Sequence, residues 1–159
     1  MASPCVLDQL GLARPRAHAG HGTNHLAALL QVDVIGIERA AGGLAEADVE
    51  QLCALALASA GIDGGHVAVE LVDAERIRAL NREHRDRDAA TDVLSFPVDE
   101  GGPASGPREL GDVVICPEHT ADLREAVVHG ALHLTGMDHE RDDGEMLALQ
   151  REILRWVRE

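Results

Sequence analysis

Three histidines near the C-terminal end, in the stretch His129-Gly-Ala-Leu-His133-Leu-Thr-Gly136-Met-Asp138-His139, have the residue type and spacing to hold a metal ion. On a helix, residues four apart share a face with Cβ atoms about 5–6 Å from one another, so His129 and His133 can offer two imidazoles to one cation. Gly136 supplies a backbone permissive enough to end that helix, and His139 then returns as a third ligand. Three neutral imidazoles leave one position of a tetrahedral ion open, which is the donor set of a catalytic zinc site with one zinc per chain. With 9 His in the chain, such a triplet is expected by chance only about 0.03 times.

The spacing also matches the H-E-x-x-H-x-x-G-x-x-H pattern of zinc metalloproteases, except that Gly130 stands where they carry the general-base Glu. Glycine accepts no proton, so peptide hydrolysis by that mechanism is disfavoured.

The elements that must position these residues follow from periodicity. Apolar and polar residues alternate at the start of 32–37, which predicts a strand, and the period becomes helical over 44–60. Val49, Leu52, Cys53, Ala56 and Ala60 share one face of that helix, with Gly61 as its stop and Cys53 as a core residue. Residues 66–72 return to a period of two, and Asp73 is a candidate N-cap for a helix to about residue 81. The charged run 81–88 reads as a solvated loop, Arg85 excepted. Strands follow over 91–97 and 110–116, joined by a Gly/Pro-rich loop, and Pro117 opens a helix running, with a break, toward the histidines. Asp142-x-x-Glu145 resembles a capping box for a last helix in which Met146, Leu149, Ile153 and Trp156 fall at helical spacing, so Trp156 is expected in the core or an interface. The order β-α-β-α-β-β-α-α predicts an α+β fold: a small mixed sheet covered by helices, with the zinc-binding helix near the C-terminus. Residues 1–31 lack sustained periodicity and read as a mobile extension preceding a single domain over 32–159. His18, His21 and His25 lie in it among glycines that weaken any helix aligning them.

Composition bounds the function classes. The formal charge of −14 opposes the broad basic surface usual for nucleic-acid proteins while leaving room for a local basic groove. Cys5, Cys53 and Cys116 form no C-x-x-C pair, which fits a reducing cytoplasm and gives neither a thiolate zinc site nor a disulfide framework. No apolar run reaches the length of a membrane span, and the first residues do not read as a signal peptide. A cytoplasmic protein without membrane partners is expected.

Two further stretches accompany the metal motif: Asn81-x-x-x-Arg85-x-x-Asp88-x-x-Thr91-Asp92-Val-Leu-Ser95-Phe96-Pro97 and Leu110-Gly-Asp112-Val-Val-Ile-Cys116. Together, and in this order, the three closely resemble the YbeY family of bacterial metal-dependent endoribonucleases associated with rRNA maturation, over residues 32–159. The resemblance implies zinc held by His129, His133 and His139, with His129 and Arg85 as catalytic residues. It also implies single-stranded RNA as substrate rather than DNA, and a role in maturing the 3′ end of small-subunit rRNA and in ribosome quality control. Partners would be the ribosomal small subunit and assembly factors. Such a role suits Arg85, since phosphodiester cleavage builds negative charge that a planar fork of donors can meet. Thr91, Asp92 and Ser95 are candidates for lining the cleft, and Asp138 for orienting a ligand histidine. Ala89-Ala90 stand where Lys-Pro is common in the family, and the segment before His129 is shorter. The alternative of a different class is a non-catalytic ribosome-assembly factor with a structural zinc.

Overall fold

Along the second strand Val67, Val69 and Leu71 are buried while His66, Ala68 and Glu70 turn the other way, as the period of two requires of a sheet whose faces differ. In the computed structural model, which describes residues 30–98 and 108–158, the elements are β1 (Leu30–Ile35), α1 (Glu46–Ala58), β2 (Gly65–Leu71), α2 (Ala74–Arg85), β3 (Val93–Pro97), β4 (Glu109–Ile115), α3 (Leu123–Leu134) and α4 (Glu145–Val157). One-turn 3-10 helices occupy Ile37–Ala40 and Pro117–His119. The four strands lie in the order β1-β2-β4-β3; β1, β2 and β4 are parallel, and β3 pairs antiparallel with β4. The sheet is therefore mixed, and the expected α+β order of elements is the observed one.

The two faces carry unequal cores. Val67, Val69, Leu71, Val113 and Ile115 meet α1, α3 and α4 through Leu52, Val127, Ala131, Met146 and Ile153. On the opposite face α2 sets Ile77 against Leu94, Val114 and Cys116. Helix α3 packs on α1, on α4 and on strands β3 and β4, with Val127, Val128, Ala131 and Leu132 fully buried. A ligand helix so enclosed is a rigid platform. It lies tight against the sheet at Gly130, where an added Cβ would overlap the Val113 side chain, and where the Ser95 hydroxyl donates to the Gly130 carbonyl at 2.9 Å.

Four local expectations are revised. β1 begins at Leu30 rather than residue 32. α2 continues to Arg85 instead of stopping near 81: Asn81 is buried and its Nδ2 donates to the Ala89 carbonyl at 2.9 Å, while Asp86 closes the helix at φ 60°. The continuation carries no apolar stripe, so hydrophobic period alone ends the helix one turn early. Of the two places expected for Trp156 the core is excluded: it is 43% exposed, because the buried stripe of α4 runs through Met146, Gln150, Ile153 and Leu154. At the start of α4, Asp142 accepts from the Gly144 and Met146 amides and Glu145 from Asp143, a reciprocal arrangement displaced by one residue from a capping box. Cys53 is a core residue, as its spacing implies, and burial pushes its thiol up to about 12. No helix among the described residues is long and apolar enough to cross a membrane. The extension with His18, His21 and His25 lies outside the described residues, apart from the segment that joins β1.

Candidate metal centre

Asp122 caps α3, its carboxylate accepting from the Arg124 and Glu125 amides at 3.0 and 3.3 Å. From that start Glu125, His129 and His133 succeed one another at intervals of four on one face. Gly136, at φ 99°, turns the chain where a side chain would strain it, and the returning segment carries His139 to the same spot. The ring centroids of His129 and His133 lie 4.8 Å apart, those of His129 and His139 4.9 Å, and those of His133 and His139 5.3 Å. One nitrogen from each ring lies within 4.8 Å of the other two, so the three can hold a metal ion.

The surroundings favour the ligating form of the rings. His133 Nδ1–H donates to the Met137 carbonyl at 2.9 Å; a carbonyl only accepts, so Nε2 keeps its lone pair. Burial, reinforced by the neighbouring His129, lowers the pKa of His133, which keeps it neutral. His129 Nδ1–H donates to Gln150 Oε1 at 2.8 Å. His139 Nδ1 is buried without a hydrogen-bond partner among the described residues, an uncompensated nitrogen of the kind a bound cation and its water would satisfy. The donor set fits zinc, and it suits other imidazole-preferring divalent ions as well.

Arg85 ends α2 on the wall of the same cleft, a cavity of about 640 Å³ lined also by Thr91, Asp92, Ser95, His129, His133, Asp138 and His139. Nearby arginines are engaged elsewhere: Arg78 and Arg82 donate to Asp88 at 2.7 and 3.2 Å, and the Arg78 hydrogen bond holds the Asp88 carboxyl below the usual carboxylate range. Arg85 has no ion pair among the described residues. It is also the one cationic Arg side chain they contribute to the cleft, beside the carboxylates Asp92, Asp122, Glu125, Asp138 and Glu140. Among the described residues Asp138 makes no hydrogen bond or ion pair with a histidine ring; its carboxylate accepts from the Glu140 amide and pairs with Arg141. The orienting contacts are made instead by the Met137 carbonyl and Gln150. Glu125 was within reach of spacing arguments, four residues before His129, whereas Gln150 belongs to another helix and only packing brings it there.

These features define an α+β protein in which a buried helix and the turn after it present a three-histidine cluster, able to hold a metal ion, to a polar cleft with one arginine of the described residues on its wall. The chain belongs to the Endoribonuclease YbeY family, whose sequence model matches residues 43–158. It is 40% identical to an Endoribonuclease YbeY of Rubrobacter xylanophilus over 134 residues, covering 80% of this chain and 96% of that protein. It is 44% identical to one from Azorhizobium caulinodans over 116 residues, covering 62% and 73%. A solution structure of TM1509 from Thermotoga maritima aligns at 25% identity with a TM-score of 0.45, covering 78% of this chain and 87% of that one.

Proposed function

We propose that this protein is a zinc-dependent endoribonuclease that cuts single-stranded RNA, matures the 3′ end of small-subunit rRNA and serves ribosome quality control in the cytoplasm. Its partners are then the small ribosomal subunit and assembly factors, and residues 32–159, with Leu30 and Gln31, form its catalytic domain. The observation that carries the reading is one cleft holding both the three-imidazole cluster and an arginine that has no carboxylate partner among the described residues. His129, His133 and His139 would hold the zinc, which when bound supplies Lewis-acid charge and a water ionising near pH 7. Arg85 binds the non-bridging phosphate oxygens and stabilises the charge that grows on them as the phosphodiester opens. His129 acts as a ligand held at a fixed angle by its Nδ1–H hydrogen bond. Gly130 cannot serve as a base, and its place against Val113 leaves no room for one, which sets the protein apart from metallopeptidases.

The test is cleavage of a defined single-stranded RNA by highly purified protein, with metal content measured on the same samples. His133→Ala is expected to lose about one metal per chain together with activity, and Arg85→Ala to keep its metal while kcat falls about 10²–10³-fold. Equal residual cleavage by all three proteins would reveal a contaminating nuclease and favour the non-catalytic assembly factor with a structural zinc.

A further inference from the structure

Behind His129 lies a chain of polar contacts whose chemistry permits one arrangement. Gln150, on α4 and 4% exposed, donates from Nε2 to Glu125 Oε2 at 3.0 Å and accepts at Oε1 from His129 Nδ1 at 2.8 Å. An ionised carboxylate only accepts hydrogen bonds, so Glu125 must be met by the nitrogen end of the amide. That turns the amide oxygen toward His129, and only the tautomer with its proton on Nδ1 satisfies an oxygen. Nε2 then keeps its lone pair. A buried amide is tolerated where both ends are bonded, and here both are.

We propose that Glu125 and Gln150 are positioning residues of the metal centre: the carboxylate fixes the amide, and the amide fixes the tautomer and ring angle of His129. The inference rests on the reading of the three histidines as metal ligands. His133 receives the same service from a backbone carbonyl, which no substitution removes. His129 depends on two side chains, one a helical turn before it and one on a different helix. Were Gln150 only a tie between α3 and α4, changing the exposed Glu125 would leave the tautomer and the cation affinity as they are.

Two readouts test this: zinc affinity by chelator competition, and the ¹⁵N–¹H correlation of the His129 ring in metal-free protein at a fixed alkaline pH. Glu125→Ala and Gln150→Leu are each expected to weaken zinc about 10–100-fold and to give mixed His129 tautomers, with circular dichroism unchanged for Glu125→Ala. The exchange variant Glu125→Gln/Gln150→Glu keeps an acceptor on His129 Nδ1 and a donor–acceptor pair between the helices. It is expected to restore the single tautomer and recover most of the affinity. Unchanged affinity and a single tautomer in Glu125→Ala would overturn the proposal while the metal reading stands. Wild-type protein that takes up no zinc would overturn both.

Discussion

Gly130 shows how one residue can serve packing where a related pattern serves catalysis. Its α-carbon faces Val113 on β4 so closely that even a methyl group overlaps the valine, and its carbonyl takes the Ser95 hydroxyl. Gly130→Ala should therefore destabilise the protein by about 1–3 kcal/mol through overpacking, against the small gain alanine brings to a helix. Urea unfolding measures this, and a stability equal to wild type would mean that α3 can back away from the sheet. The three histidines were legible in the sequence because a helix and a glycine turn make ligand spacing local. Arg85 was not legible from spacing; the resemblance singled it out, since a residue 44 positions before His129 reaches the cleft only through the sheet between them. Gln150 was invisible for the same reason, without a motif to recommend it.

At the scale of elements, α3 depends on how it begins. Asp122 caps its first turn and pairs with Arg158 at 2.6 Å, tying the start of α3 to the end of α4. Asp122→Ala should cost about 0.5–2 kcal/mol, read as a lowered urea midpoint at unchanged m-value. A second device joins three strands: His66 on β2 lies between Asp33 of β1 at 2.8 Å and Glu109 of β4 at 2.9 Å. The Asp33 hydrogen bond, with Glu109 adding to it and partial burial opposing, raises the pKa of His66. A histidine raised in the folded state adds stability fully present below its unfolded pKa of about 6.5 and lost as pH rises through the folded value. The stability difference between wild type and His66→Gln should thus be largest near about pH 6 and shrink toward alkaline pH, and salt should reduce it because the group is partly exposed. A difference growing with pH would assign His66 a neutral role. Element order was readable from alternating periods, but the place of β3 at the sheet edge was not, because periodicity reports which face is buried and not which strand is the neighbour. The last turn of α2 escaped because buried Asn81 and the bonds of Asp88 hold it without apolar residues.

Over the whole molecule, a formal charge of −14 must be reconciled with a polyanionic substrate. Long-range attraction cannot gather RNA to such a protein, so binding has to come from the few groups that meet phosphate at short range. In the cleft these are Arg85 and any cation held by the histidines, surrounded by the carboxylates Asp92, Asp122, Glu125, Asp138 and Glu140. Single-stranded nucleic acid releases counterions with a slope of about −0.7 per neutralised phosphate in log K against log salt. One or two contacts then predict a slope of about −0.7 to −1.4, far shallower than for a protein with a basic face. Fluorescence anisotropy with a labelled single strand, from about 50 to 200 mM salt, measures it under conditions where affinity would change only a few-fold. Arg85→Ala should flatten the slope by close to one contact. A slope of about −3 or steeper would mean that RNA is held mainly by a surface of the protein away from this cleft. On the proposed reading a shallow slope would make the acidic exterior a means of selection: free RNA would be met weakly, and a strand brought in by a basic partner would find its phosphate contact at Arg85.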